Sequence, residues 1–317
     1  MCKKNLYDQA SKAMFALLSR CNVLELPLDI QLELFDTMII PIITYGCETL
    51  GVKNNEIIEK LHLRFCRYIL KVKNSTPKCM LYGELGRYPV DIHIKCKIIM
   101  YWHRLVNGSS SKMSYSMYQV LLNLYREDTF RAEWLAFIHR TLNECGMNDV
   151  WLTQGAFLSS NQLKELITTR LKDQFKQKWV AEMESNSKCI LYKSFKTSLK
   201  FEKYLSEVNG FHRRLIVKYR LCNHKLAVER GRYTNIVRDR RYCDICTEDT
   251  LGDEFHMLME CRNVHVKEFR KLTIQKHIQT VSMYNFTHIM SNVSENCTLA
   301  TDIGKYLAML TKRFSCI

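Results

Sequence analysis

Apolar residues recur every three or four positions along most of this chain, which is the spacing of one face of an α-helix. The clearest example follows Asn54 and Asn55, either of which can cap the helix that the spacing predicts. Its apolar stripe consists of Ile57, Ile58, Leu61, Phe65, Tyr68 and Ile69. Only 4 Pro and 11 Gly interrupt the 317 residues. Since both residue types end or weaken helices, their scarcity predicts a mainly α fold.

Helical spacing lies on both sides of one clear break. Residues 6–23 and the segment that starts at Leu26-Pro27 each carry it, and Pro41 is predicted to kink or end the second helix. Another helix is expected after Pro89, and the rest are predicted at residues 113–125, 130–145, 161–185, 201–223, 264–277 and 298–312. The break is the polar stretch Asn107-Gly-Ser-Ser-Ser111, where we place a domain boundary.

Composition and the absence of export signals narrow the class of protein. With 47% hydrophobic and 25% charged residues, the chain is expected to be globular with a sizeable core. Its longest charge-free apolar stretch, residues 37–47, is far shorter than the ~20 residues of a membrane span. The N-terminus lacks the apolar core of a secretory signal. We therefore expect an intracellular protein, cytoplasmic or nuclear, whose 14 cysteines are thiols or metal ligands.

The strongest chemical signal is Cys243-Asp-Ile-Cys246 followed by His256 and Cys261. Four such ligands can close a tetrahedral site, so the spacing predicts one structural Zn(II) ion. A site filled by four protein ligands leaves no position for water or substrate, which indicates structure and not catalysis. We expect a small module in which a hairpin carries the two-cysteine knuckle and a short helix, starting near Asp253, carries the other two ligands.

These cysteines also allow interpretations other than a zinc site. A chain with 14 cysteines can also contain one Cys-x-x-Cys pair by chance. A thioredoxin-like redox pair is disfavoured, because Arg241 and Tyr242 precede it and no βαβ pattern surrounds it. His265 could replace Cys261 as the fourth ligand, although thiolate affinity favours Cys261.

Positive charge is concentrated just before the predicted zinc module. Residues 212–241 contain ten Lys and Arg and two acidic residues, a net charge of +8 out of +15 for the whole chain. Arginine grips phosphate and tyrosine stacks on unpaired bases, and the few acids nearby disfavour a solvated, salt-bridged helix face. The candidate nucleic-acid-binding residues are Arg213, Arg214, Lys218, Arg220, Arg230, Arg232, Tyr233, Arg238, Arg240 and Arg241.

Several motifs match one family of proteins. They are Leu26-Pro27, Leu34-Phe35-Asp36, residues 41–48 (Pro-Ile-Ile-Thr-Tyr-Gly-Cys-Glu), residues 61–70, residues 82–89, Gly231-Arg232-Tyr233 and the cysteine-rich stretch 241–261. With these motifs the chain resembles the region that follows the palm in reverse transcriptases of LINE-type (non-LTR) retrotransposons, firmly at both ends and loosely between residues 107 and 204. The resemblance implies a helical thumb, which grips the template–primer duplex, and a cysteine-rich end.

The chain lacks the residues that polymerisation needs. Family palms hold two metal ions with an Asp-Asp pair, and no Asp-Asp occurs in this sequence. We therefore expect no enzymatic activity and a detached C-terminal part of a retrotransposon protein. The expected organisation is a helical thumb-like domain at 1–106, connecting helices at 107–204, a basic helix plus zinc module at 205–280 and a helical tail at 281–317.

The function that follows is a noncatalytic clamp on RNA or an RNA/DNA hybrid near the priming site. Its expected partners are RNA, DNA and other parts of a retrotransposon protein, with no membrane. The alternative is a zinc-stapled helical module that binds another protein. A RING domain is disfavoured because it needs eight ligands, and no Cys, His and acid group suggests a hydrolase.

Overall fold

The computed structural model describes residues 2–52, 55–127, 132–246 and 248–317. Over these residues the chain is helical and contains no strand, and its only β pairing is two isolated antiparallel bridges, Leu85 with Phe201 and Tyr242 with Leu251. The predicted mainly α fold is confirmed. Asn54 and Phe130, which were predicted as a helix cap and a helix start, lie outside the described residues.

Eighteen α-helices are found in the described part of the chain. In order, α1 to α18 are Cys2–Val23, Leu28–Leu34, Ile40–Ile43, Cys47–Leu50, Glu56–Leu70, Lys78–Leu85, Val90–Val106, Met113–Arg126, Glu133–Glu144, Asn148–Leu152, Ser160–Ser185, Tyr192–Phe195, Tyr204–Glu207, Gly210–Arg220, Ala227–Arg230, Val264–Thr273, Met283–Asn292 and Cys297–Phe314. The described part of the chain also contains two π-helices, Phe35–Ile39 and His256–Glu260, and two 3-10 turns, Arg238–Arg240 and Gln275–His277. None of the helices is both long and apolar enough to cross a membrane.

The helices form two compact units, each built from separate stretches of chain. Unit 1 comprises residues 1–24, 32–62 and 88–178, and unit 2 comprises residues 25–31, 63–87 and 179–317. The sequence predicts domain boundaries near residues 106, 204 and 280. A domain in that sense folds on its own, and the packing of the two units does not test this. The boundaries stay a prediction.

Unit 1 is built around α7, which begins directly after Pro89 as predicted. Proline favours this position because its missing N–H is not needed in the first turn of a helix. Trp102 on α7 is fully buried, donates to the Tyr118 hydroxyl at 3.0 Å and stacks on Trp151 with ring centroids 5.8 Å apart. The predicted break after α7 is confirmed, since α7 ends at Val106 and α8 begins at Met113.

The chain departs from α-helical geometry just before Pro41. The π-helix Phe35–Ile39 joins α2 to α3, and the Ile40 N–H donates to Phe35 O, five residues back. Pro41 then follows as the second residue of α3. Because proline has no N–H and its ring crowds the preceding turn, a widened turn at this point relieves the helix.

Unit 2 is built around α14, α16 and α18, of which α14 and α16 both pack against α18. The single helix predicted at residues 201–223 is wrong, because α13 ends at Glu207 and α14 begins at Gly210. Asn209 starts the new helix by accepting a hydrogen bond from His212 N–H at 3.0 Å. The approach of α14 to α18 requires Gly304, where an added Cβ would lie 2.5 Å from His212 Cβ.

Candidate metal centre

Four side chains of unit 2 converge on one point: Cys243, Cys246, His256 and Cys261. We call them the Cys/His cluster. Their ligand atoms all lie within 4.8 Å of one another, and the Cys246 sulfur is 3.3 Å from His256 Nε2. Cys243, His256 and Cys261 are buried and Cys246 is half-buried. The cluster could therefore hold a metal ion, and it consists of the four residues that the spacing predicted.

The knuckle that carries Cys243 and Cys246 is held by two backbone hydrogen bonds. Cys243 N–H donates to Thr250 O at 2.8 Å, and Gly252 N–H donates to Arg241 O at 2.9 Å. These bonds flank the bridge between Tyr242 and Leu251, which is the only antiparallel pairing in the described part of this module. Gly252 is required here, because an added Cβ would lie 2.9 Å from Cys243 Cα.

The other two ligands lie on a short helical segment that begins at Glu254. Asp253 caps it by accepting from His256 N–H at 2.9 Å. The segment then widens into the π-helix His256–Glu260, and Cys261 N–H donates back to His256 O at 2.8 Å. Because a π turn joins residues five apart by a hydrogen bond, it brings His256 and Cys261 to the same side of the segment.

A second layer of side chains fixes this segment. Arg270 on α16 donates to Leu258 O at 2.9 Å and to Cys261 O at 3.2 Å, so it satisfies carbonyls that a helix end leaves without partners. Tyr306 on α18 donates to Met257 O. Asn263 accepts from two N–H groups of α16 and donates to Ile245 O, inside the knuckle, at 2.9 Å. The knuckle and the segment are thus positioned by the same helices.

The protonation of the cluster reflects the closeness of its sulfurs. A hydrogen bond with Cys261, opposed by burial, lowers the pKa of Cys243 to about 3, and the same contact raises the pKa of Cys261. Burial alone would lower the pKa of His256, but the hydrogen bond and the charge of the Cys243 thiolate raise it overall. Without a cation the groups therefore share protons. Among the described residues His256 Nδ1 finds no hydrogen-bond partner although it is buried, and a carboxylate oxygen of Glu260 lies 3.7 Å away.

His265, the alternative fourth ligand, lies outside the cluster. Its Nε2 is 3.2 Å from a guanidinium nitrogen of Arg313, and its ring stacks on Phe269 with centroids 6.3 Å apart. Cys261, not His265, completes the group.

A second group, Cys222, His224 and Glu254, also has the residue types of a metal site. The Leu226 N–H points at His224 Nδ1 at 3.3 Å, so the proton of the neutral ring is on Nε2, which donates to Glu254 at 2.7 Å. Cys222 donates to the same carboxylate oxygen at 3.1 Å. A metal would need the lone pair that the Nε2 proton occupies. We therefore interpret this group as a hydrogen-bonded anchor for the segment that carries His256 and Cys261.

Half of the predicted nucleic-acid-binding residues are used inside unit 2. Arg220 is 1% exposed and binds Glu84 at 2.7 Å and Glu202 at 3.2 Å. It therefore cannot reach a phosphate, and its assignment as a nucleic-acid-binding residue is wrong. The others hold the backbone or buried acids: Arg213 bonds Leu205 O, Arg232 bonds Glu229 and Ser187, Arg238 contacts Asp253, and Arg241 bonds Val228 O and Ile236 O.

The remaining predicted residues face solvent. Arg214, Arg230 and Arg240 are exposed, Lys218 is half-buried, and Tyr233 is 68% exposed. Arg230 pairs with Asp244 at 2.6 Å, but both side chains are about half exposed, so solvent screens this pair. Sequence reasoning missed Lys73 and Lys225, two exposed lysines next to Lys218. Lys73 is remote in sequence, and only the fold brings it there.

Comparison with known proteins adds no relative: no protein-family model, no curated protein and no solved structure matches this chain.

Proposed function

We propose that this chain is a noncatalytic nucleic-acid-binding part of a LINE-type non-LTR reverse transcriptase, which grips RNA or an RNA/DNA hybrid near the priming site. Two lines of support meet in unit 2. The first is the sequence resemblance at residues 231–261. The second, which carries the proposal, is a loop that leads into the Cys/His cluster and presents a cation and an aromatic ring to solvent. We call residues 231–242 the arginine loop.

The arginine loop has the construction of a rigid platform. Arg241 holds it from the inside by donating to Ile236 O at 2.9 Å and to Val228 O at 2.7 Å. Ile236 N–H closes the turn on Gly231 O at 3.0 Å. Arg240 and Tyr233 point outward, and no carboxylate of the described chain lies within 4.0 Å of Arg240. An exposed arginine and tyrosine on a loop with a hydrogen-bonded backbone suit a phosphate and an unpaired base.

The ion that we propose for the Cys/His cluster is Zn(II). Three thiolates and one imidazole are donors that zinc prefers, and tetrahedral Zn–S bonds of ~2.3 Å separate sulfurs by about 3.8 Å, which is compatible with four ligand atoms that all lie within 4.8 Å of one another. When bound, the ion supplies a structural crosslink. Cys243, Cys246, His256 and Cys261 would hold it, and no ligand position would remain for a substrate.

The test combines metal content with binding at several salt concentrations. We expect one zinc per purified chain by elemental analysis. Labelled RNA hairpin and RNA/DNA hybrid should bind with an affinity that falls steeply with salt, because each phosphate contact releases counterions. Arg230→Ala/Arg240→Ala removes two such contacts and should flatten the log–log slope on a duplex by about 1.8. Tyr233→Ala should weaken binding to unpaired strands more than to duplex, since only exposed bases can stack.

The matched control removes two exposed arginines of unit 1, Arg140 and Arg170. It lowers the net charge equally and should leave the slope unchanged. A wild-type protein without zinc, a flat salt dependence, or wild-type affinity in the Arg230→Ala/Arg240→Ala variant would each overturn the proposal.

The second candidate function, a protein-interaction module, is favoured by an apolar groove in unit 1. The groove has a volume of about 830 Å³, and α8 contributes Met113, Met117 and Val120, which are 79%, 67% and 60% exposed. Two exposed cations, Arg104 and Lys112, directly precede the lining residues Leu105 and Met113, which suits an amphipathic helix with acidic flanks. Met117→Glu should abolish capture of such a helix and leave RNA binding unchanged.

A further inference from the structure

Four cations of unit 2 form a surface cluster that crosses two separate stretches of chain. They are Lys73, Arg214, Lys218 and Lys225, which we call the cationic patch. Lys73, Arg214 and Lys225 are exposed and Lys218 is half-buried. None of the four has a carboxylate within 4.0 Å in the part of the chain that the structure describes, whereas Lys193, Lys200 and Lys203 of the same unit are all paired with glutamates.

One buried residue, Asn223, holds the patch together. Its N–H donates to Lys218 O at 2.7 Å, and its Oδ1 accepts from Lys73 N–H at 2.8 Å, so a single residue joins the backbones of both lysines. Asn223 also donates to Thr76 Oγ1 at 2.6 Å. Lys225 follows two residues later, and its N–H is fixed by Cys316 O at 2.7 Å. These four hydrogen bonds therefore bring Lys73, which is remote in sequence, to Lys218 and fix the backbone of Lys225.

Arg214 joins the patch through helix geometry. It lies four residues before Lys218 on α14, which places both side chains on the same face of the helix. Burial and then the positive charges of Lys225, Arg214 and Lys73 lower the pKa of Lys218. Neighbouring like charges repel one another, and the fold nevertheless assembles these four with no carboxylate of the described residues within 4.0 Å of any of them. A bound polyanion would relieve that repulsion.

We propose that the cationic patch binds phosphate groups along the backbone of a polynucleotide and so extends the nucleic-acid surface beyond the arginine loop. Lysines are flexible point charges, and exposed ones do not form a fixed cradle around a single small anion. They suit a chain of phosphates, whose binding gains from the release of many counterions. Only four residues separate Lys225 from Arg230, which directly precedes the arginine loop, so one strand has a short path between the patch and the arginine loop. This inference rests on the proposed function.

The test uses the two lysines that lie outside the predicted set. Lys73→Gln/Lys225→Gln should flatten the log–log salt slope of binding by about 1.8 on duplex and about 1.4 on single strands. Lys73→Arg/Lys225→Arg keeps the charge and should keep the wild-type slope. The matched control is Lys200→Gln/Lys203→Gln, which removes the same charge from lysines paired with Glu295 and should change nothing. Zinc content and melting temperature show that each variant is folded.

The outcomes separate this inference from the function on which it rests. If wild type binds with a steep slope that Arg230→Ala/Arg240→Ala flattens while Lys73→Gln/Lys225→Gln leaves it unchanged, only the inference is overturned. If wild type binds neither RNA nor DNA, the proposed function falls and the inference with it. Vesicles of phosphatidylcholine with phosphatidylserine form the last arm. Patch-dependent binding to vesicles, without binding to polynucleotide, would identify a membrane-surface site and overturn the inference.

Discussion

Two carboxylates lie in the interior of unit 2, and one guanidinium contacts both. Arg220 Nε donates to Glu84 at 2.7 Å and Nη2 donates to Glu202 at 3.2 Å, with all three side chains 4% exposed or less. Lys196 adds a second positive charge beside Glu202, and the Tyr204 hydroxyl donates to Glu84. Burial would raise the pKa of Glu84, but the charges of Arg220 and Lys196 lower it overall. The network therefore keeps Glu84 ionised only while its cations remain.

We expect Arg220→Ala to lower the free energy of unfolding by about 3–5 kcal/mol, because it leaves two buried carboxylates without their shared partner. Arg214→Ala, on the exposed face of the same helix, should change it by no more than about 0.5 kcal/mol. Urea denaturation followed by circular dichroism measures both. A loss below about 1 kcal/mol for Arg220→Ala would mean that water reaches the network and replaces the guanidinium.

The role of Arg220 could not be predicted from the sequence. It lies in the most basic stretch of the chain, and its partners Glu84 and Glu202 are 136 and 18 residues away. A count of charges over a short stretch of sequence assigns Arg220 to the surface, because the count includes only acids that are close in sequence. The Cys/His cluster is different: two of its residues are three positions apart and all four lie within 19 residues, so chemistry and spacing were sufficient to predict that they come together.

At the scale of elements, α16 links the knuckle to the rest of unit 2 through one residue. Asn263 caps α16 with its side-chain oxygen and donates to Ile245 O, between Cys243 and Cys246, at 2.9 Å. Asn296 caps α18 with its side-chain oxygen, by accepting from Leu299 N–H at 2.9 Å, and makes no hydrogen bond to the described residues of the knuckle. Both residues are therefore caps, but only Asn263 also contacts the candidate metal centre.

Asn263→Ala should reduce zinc affinity about 10- to 100-fold, the usual effect of removing a residue that orients metal ligands. Asn296→Ala should leave zinc affinity at the wild-type value, although both variants lose a cap worth about 1 kcal/mol and should melt at similarly lower temperatures. Competition with a chromophoric chelator gives the affinities. Equal zinc affinities in the two variants would show that the knuckle holds its geometry without Asn263.

Helix positions were predictable where an apolar stripe runs without interruption. Residues 161–185 were predicted and α11 is Ser160–Ser185, and the segment after Asn55 gives α5, Glu56–Leu70. The prediction of one helix at residues 201–223 is wrong because a polar cap interrupts the apolar stripe. The Asn209 side chain caps a new helix at this point. The π turns before Pro41 and after Phe255 leave no periodic signal, because each adds a single residue to an otherwise regular helix.

At the scale of the whole molecule, the candidate metal ligands and the cationic patch all belong to unit 2, and the apolar groove belongs to unit 1. The sequence did not indicate this division, since unit 2 takes residues 25–31 and 63–87 from the N-terminal third of the chain. Contacts between residues far apart in sequence decide it, such as the bond from Trp179 Nε1 to Cys79 O at 2.8 Å. The periodicity of apolar residues predicts where helices form, but not which helices pack against one another.

This division predicts how the protein would respond to removal of the metal ion proposed for the Cys/His cluster. Chelation should increase amide hydrogen exchange in residues 241–261 and in α16, because the cluster would lose the ion that crosslinks the knuckle to the segment after Asp253. Exchange in α7 and α9 should stay unchanged, since unit 1 contains none of the four ligands. Hydrogen exchange with mass spectrometry before chelation, after it, and after zinc is added back measures this. Cys297→Ser, which removes an exposed thiol outside the cluster, should behave like wild type. Equal loss of protection in α7 and α9 would mean instead that the metal organises the entire chain.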